Sequence, residues 1–171
     1  MNKEVLQTLV GKTIKVDRGG PESRIGKLLG VSEDHFTLLT EADGVVYYLT
    51  HHIKSLTENT KKGLPFELEI PELFTFVTAP TLFEVMESLK YNWVKINRGG
   101  KESVEGVLDD INLEYITIVH NEEIIRIATF HIHNISYGLK IEKPKKDESE
   151  KQEENKNDKK EEKTEEKGSE K

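Results

Sequence analysis

The residues best suited to chemistry lie in a nine-residue motif, Arg-Gly-Gly-x-Glu-Ser-x-x-Gly, that occurs twice in the chain of 171 residues. It runs from Arg18 to Gly26 and again from Arg98 to Gly106. Arginine side chains and exposed backbone N–H groups can bind phosphate, and a serine can attack a substrate when a base activates it. The motif residues considered as structural or contact positions are Arg18, Gly19, Gly20, Glu22, Ser23, Gly26, Arg98, Gly99, Gly100, Glu102, Ser103 and Gly106.

Neither RNA binding nor phosphate binding fits this motif well. The Arg-Gly-Gly sequence occurs only once per copy, on a predicted hairpin with acidic neighbours, and this argues against an RNA-binding element. A phosphate-binding loop would need a following helix and a committed lysine. Two interpretations stay open. In one, Arg18 pairs with Glu22 across the turn, Arg98 pairs likewise with Glu102, and the serines bond to local backbone. In the other, the motif is a protein-contact loop displayed twice.

The six histidines do not form a recognisable metal-binding pattern. His131 and His133 lie two apart on a possible strand. His51 and His52 occupy the equivalent region, which has Lys54 in the place of the second histidine. The chain has no cysteine and no His-x-x-x-His spacing. No nucleophile lies beside an obvious base, so we expect no metal, no cofactor and no enzymatic activity.

The duplication extends beyond the motif and divides the chain. Glu4 and Leu9 recur at the same spacing as Glu84 and Leu89, but Thr50 recurs at 129 because the second copy lacks one residue of a polar turn. A hairpin tip tolerates such a deletion, whereas a strand interior does not. The predicted domains are a first helix-plus-barrel repeat at 1–58, a linker with apolar bracing strands at 59–80, a second helix-plus-barrel repeat at 81–140, and a disordered Lys/Glu-rich tail at 141–171.

The sequence pattern predicts, in each copy, a short helix followed by about five short, bent strands. Residues 3–10 place apolar side chains on one helical stripe, and Gly11 follows as a stop signal. Gly26 and its counterpart Gly106 interrupt the second strand, where a small barrel needs a bend. The predicted fold class is therefore mainly β with minor helix: two tandem small Sm-like or SH3-like β-barrels, each preceded by a short helix.

Charge and composition narrow the possible partners. The net charge is −7, and residues 4–56 carry six basic and seven acidic side chains against five and nine in residues 84–135. Neither copy offers the basic surface that a phosphate backbone requires, so nucleic acid is not an expected partner. No apolar run approaches the about 18 residues of a membrane span, and the first residues do not resemble a signal peptide, so we expect a cytosolic start and no membrane insertion.

Several strings carry a family resemblance: VDRGGPESRIGKLLGV, VVYYLTHHIKSLTE, and NWVKINRGGKESVEGVL followed by FHIHNISYG. Over about residues 5–140 the chain resembles the spore coat protein B family of endospore-forming bacilli. The resemblance implies a structural component of the outer spore coat, synthesised in the mother-cell cytoplasm. It also implies other spore coat proteins as partners, with self-association possible. The alternative is an Sm-like RNA-binding or regulatory protein, suggested by the order of one helix and five strands.

Overall fold

The computed structural model describes residues 1–141, and these form one compact unit. The tail predicted to be disordered lies outside the described residues beyond Ile141. The first repeat contains α1 (Lys3–Gln7), β1 (Thr13–Val16), β2 (Arg24–Val31), β3 (His35–Thr40), β4 (Gly44–Leu49) and β5 (Leu56–Thr57). The second contains α2 (Leu82–Ser88), β6 (Trp93–Ile96), β7 (Val104–Ile111), β8 (Tyr115–His120), β9 (Glu123–Ala128) and β10 (Asn134–Ser136). A single 3-10 turn precedes the last strand of each repeat, at Thr50–His52 and Thr129–His131.

The ten strands of residues 1–141 belong to one sheet, in the order β5-β1-β2-β3-β4-β10-β6-β7-β8-β9, and every pair is antiparallel. The mainly β class with a helix before each repeat is confirmed. The described part of the chain does not form the two closed barrels, because the last strand of the second repeat pairs with β4 of the first repeat and not with β9 of its own. The sheet therefore stays open, with β5 at one edge and β9 at the other.

The two helices cover the sheet with their apolar sides. Leu6 of α1 is buried, and α2 buries Leu82, Val85 and Met86. The helix α2 begins with a complete capping box, in which Thr81 and Glu84 satisfy each other's backbone N–H groups. Apolar spacing and capping thus explain why both helices form where the sequence indicates.

The strands β3 and β4 are buried on both faces, because two hydrophobic clusters meet there. One cluster is the core of the first repeat and includes Phe36 and Tyr48. The other contains Val45 and Tyr47 on the opposite face, together with the core of the second repeat. The strands β3 and β4 therefore contribute to the cores of both repeats. Burial of apolar side chains on both faces stabilises this part of the sheet.

Residues 59–80 form no strand, contrary to the expected bracing strands. Proline lacks the N–H that a ladder requires, and Pro65, Pro71 and Pro80 interrupt the segment. The linker still braces the sheet through its side chains, since Phe66 and Phe76 pack against the second cluster. The hydroxyl of Tyr47 also donates to the carbonyl of Val77 at 2.7 Å.

Gly26 and Gly106 are required by close packing between strands. A Cβ at Gly26 would lie 2.8 Å from Cγ of Leu38, and one at Gly106 would lie 2.7 Å from Cγ2 of Ile118. Both are distances that a real side chain cannot adopt without displacing its neighbours. The register shift in each repeat comes two residues later, so the glycine and the irregularity are separate features of the same bent strand.

Candidate functional site

The most elaborate polar site lies where the two repeats meet. Its backbone part is the pairing of β10 with β4, in the register Asn134↔Tyr48, Ile135↔Tyr47 and Ser136↔Val46. Two further hydrogen bonds extend the pairing, from the N–H of Leu49 to the carbonyl of His133 at 3.0 Å and from the N–H of Val45 to the carbonyl of Leu139 at 2.8 Å. The repeats are thus joined as adjacent strands of one sheet.

The second motif inserts its arginine into the first repeat. Arg98 donates to the carboxylate of Asp43 and to the hydroxyl of Ser136, and its backbone N–H donates to Oδ1 of Asn134 at 3.0 Å. Asp43 also accepts from Nε of Arg24 at 2.6 Å. Burial and the charge of Arg24 lower the pKa of Arg98. One carboxylate at the tip of the β3–β4 hairpin therefore holds two guanidinium groups, one from each repeat.

These contacts correct the first interpretation of the motif. Arg98 pairs with Asp43 of the other repeat, and no ion pair joins it to Glu102 within residues 1–141. Arg18 is exposed, and the same part of the chain shows no ion pair between it and Glu22. The pairing across each turn is therefore wrong. The prediction fails for Arg98 because its hairpin packs against the acidic turn that contains Asp43. No local sequence pattern links that turn to the hairpin.

The glycines of the two motifs differ in their surroundings. A Cβ at Gly99 would overlap the carbonyl of Pro21, and one at Gly100 would lie 2.9 Å from Oε1 of Glu22. Gly99 also has a φ of +90°, which disfavours other residues. At Gly19 and Gly20 the added atom would meet nothing within 4 Å. The second motif is thus a contact loop inside the molecule, and it packs on Pro21 and Glu22 of the first motif, whose own glycines are open.

The motif serines also behave differently. Ser23 donates to the carbonyl of Asp17 at 2.7 Å, which confirms the predicted bond to local backbone. The hydroxyl oxygen of Ser103 is buried and has no hydrogen-bond partner among residues 1–141, so the prediction is wrong there. In the second repeat the carbonyl of Asn97 accepts instead from the N–H of Gly100 at 3.4 Å.

Three residues of this site were missed in the sequence. Asp17 and Asn97 directly precede the two motifs, both have a φ of +52°, and the side chain of each accepts from the backbone before the last strand of its own repeat. Asp and Asn tolerate this left-handed conformation, so their position before Arg-Gly-Gly was a usable signal. Asp43 gave no such signal, since an acidic residue in a hairpin turn is ordinary.

The histidines of the two repeats meet at the same junction. The ring centroids of His52 and His133 lie 4.4 Å apart, and those of His51 and His52 lie 4.2 Å apart. Burial, followed by the neighbouring His133 and His51, lowers the pKa of His52. Within residues 1–141 no group of three or more His, Cys, Asp or Glu is placed to hold a metal ion.

A cavity of about 530 Å³ lies in the second repeat, between its motif hairpin and β9. Its lining contains no Ser, Thr, Cys or Tyr side chain that could serve as a nucleophile. It is lined by Glu22, Asn97, Gly100, Lys101, Glu102, Val104, Ile125, Arg126, Ile127, Ala128, His131 and His133. In the first repeat, contacts at Pro21, Glu22 and Arg24 place the inserted hairpin of the second repeat in the corresponding region. The cavity thus marks a surface that is covered in one repeat and open in the other.

The fold and junction define a class of protein: a tandem-repeat β-sheet protein whose copies bind each other by strand pairing and an inserted hairpin. No family model matches the chain. The chain is similar to spore coat protein B of Bacillus subtilis (strain 168), with 41% identity over 140 residues, which are 82% of this chain and 36% of that protein. It therefore spans about a third of the length of this relative. In the part of the chain that the structure describes, no helix is long and apolar enough to span a membrane.

Proposed function

We propose that this chain is a structural component of the outer spore coat that acts by protein–protein assembly and catalyses no reaction. The observation that carries the proposal is its similarity to a spore coat protein, which extends over 140 residues at 41% identity. That length is close to the 141 residues that the structure describes. Other spore coat proteins are the proposed partners.

The surface of the second repeat supports an assembly role. Leu113, Ile124 and Phe130 are large apolar side chains that are 82%, 62% and 72% exposed. Leu113 and Phe130 line the same surface cleft, and neighbouring exposed apolar side chains favour contact with another protein. The two open strand edges offer unpaired backbone groups for the same purpose.

Localisation during sporulation tests the proposal. A fluorescent fusion of the full chain, expressed from its own promoter, should be absent from growing cells and should later encircle the forespore. The fluorescent protein alone under the same promoter is the control, and it should stay diffuse in the mother cell. A fusion that also remains diffuse throughout sporulation would contradict the proposed role.

A further inference from the structure

The two open edges of the sheet are counterparts of the two strands that pair at the repeat junction. β9 stands in the second repeat where β4 stands in the first, and β5 stands in the first repeat where β10 stands in the second. Inside the molecule β4 pairs with β10. The free edges β9 and β5 are therefore the counterparts of the two paired strands, and the described sheet leaves both of them unpaired.

The registers support this equivalence. In the first repeat Leu56 of β5 lies opposite Val16 of β1, and in the second Ile135 of β10 lies opposite Ile96 of β6. These residues occupy corresponding positions of the duplicated sequence. Transferring the register of β4 and β10 places residues 55, 56 and 57 of one copy opposite residues 127, 126 and 125 of another.

The outer strand of the second repeat lacks the cover that its counterpart has. Val46 and Tyr48 of β4 are buried, whereas Ile125 and Ile127 of β9 are only partly buried and line the cavity of about 530 Å³. The first repeat receives a neighbouring strand and an Arg-Gly-Gly hairpin in the corresponding place. A hairpin and a strand of the same shape would fill this cavity.

The hairpin of the first repeat carries the same Arg-Gly-Gly motif with its glycines uncovered, although its positive φ lies at Gly20 and that of the second hairpin at Gly99. Gly99 needs to be glycine because it touches the carbonyl of Pro21 and has a positive φ. Gly19 has neither restriction in the described structure, since an added Cβ would meet nothing within 4 Å and its φ is not positive. A glycine at position 19 is explained if this hairpin inserts into another molecule as the Gly99 hairpin inserts into the first repeat.

The charges at the two ends are complementary. Arg98 is bound by Asp43, which lies in the turn before β4. The counterpart of Arg98 is Arg18, and Glu122 lies in the turn before β9. Both are exposed and neither forms an ion pair within residues 1–141. Pairing of β9 with β5 of another copy would bring Arg18 to the acidic turn that contains Glu122.

We propose that this chain self-associates head to tail, with β9 of one copy pairing with β5 of the next and the Arg18–Gly20 hairpin entering the cavity beside β9. The partner is thus a second copy of this chain, an inference that rests on the proposed assembly function for its biological setting. Since the two contacting surfaces differ, the association is not limited to a dimer: it gives a ring if the rotation closes and an open filament if it does not.

The test measures the mass of the full chain by light scattering after size-exclusion chromatography over a range of concentrations. Wild type should exceed the monomer mass of 19.6 kDa increasingly as concentration rises. Gly19→Val adds a side chain that points into open space in the monomer but would clash with the neighbouring copy in the complex. This variant should therefore fold normally and stay monomeric. Arg126→Pro removes an N–H that points to the free edge, by analogy with Tyr47, and should weaken association about tenfold.

Arg126→Ala is the matched control for the proline variant, because it loses the same side chain but keeps the backbone N–H, and it should associate more strongly than Arg126→Pro. Circular dichroism verifies that each variant is folded. A wild-type chain that stays monomeric at every concentration would overturn the proposal, and so would unchanged association of folded Gly19→Val. A monomeric variant whose fluorescent fusion still encircles the forespore would leave the coat role standing, which separates the two proposals.

Discussion

Asp43→Asn should strongly destabilise the described sheet, because it removes the carboxylate that holds Arg24 and Arg98. The three side chains are 13%, 24% and 14% exposed. A hydrogen bond to a charged group contributes about 1.5–3 kcal/mol, and breaking a buried ion pair costs about 3–5 kcal/mol. Since none of the three side chains is fully buried, we expect a loss of about 3 kcal/mol in the free energy of unfolding, at the lower end of that range.

Such a loss is a large part of the stability of a typical domain, about 5–15 kcal/mol. It should lower the melting temperature by roughly 6–12 °C, measured by circular dichroism on the full chain. Asp109→Asn is the matched control, because Asp109 is exposed on β7 and should change the free energy by less than about 0.5 kcal/mol. If Asp43→Asn has the same melting temperature as Asp109→Asn, the carboxylate of Asp43 does not hold the repeats together and the proposed role of the junction is wrong.

Three further predictions concern other parts of the molecule. Gly99→Val should lower the free energy of unfolding by about 2 kcal/mol or more, whereas Gly19→Val should leave it unchanged, in urea titrations of both variants. The lowered pKa of His52 means that folding favours its neutral form, so stability should fall as the pH decreases from about 6.5 through the lower value of the folded state. His52→Gln should flatten this dependence in unfolding measurements above and below that pH, and an unchanged profile would assign it to other groups. Filter binding of single-stranded RNA should be negligible even at low salt, since the described repeats lack a basic surface; steep salt-dependent binding would revive the Sm-like alternative.

The local elements could be predicted well because the duplication repeats each signal. The helix before each repeat follows from apolar spacing, and Gly26 and Gly106 mark the bent second strand in both copies. The linker could be recognised as packing on the sheet from its apolar side chains, but its prolines, such as Pro71, excluded the strands that were expected.

The pairing of distant elements could not be predicted in the same way. Alternation of side chains shows that β10 is a strand, but it does not show whether β10 closes on β9 or joins β4. The partner of Arg98 is Asp43, fifty-five residues earlier. No local sequence pattern shows that Arg98 pairs with this carboxylate and not with that of Glu102. Local patterns therefore identified the Arg-Gly-Gly hairpin as a candidate contact loop, but they could not identify the residues that it contacts.

The double burial of β4 has a consequence for how the duplicated gene has diverged. Tyr47 is fully buried, whereas Arg126 at the same position of the second copy is exposed. A chain with its repeats in reversed order would place that guanidinium in an apolar interior without a counter-charge, which is strongly unfavourable. The copies are no longer interchangeable: the order in which they are translated has become part of the information that specifies the fold.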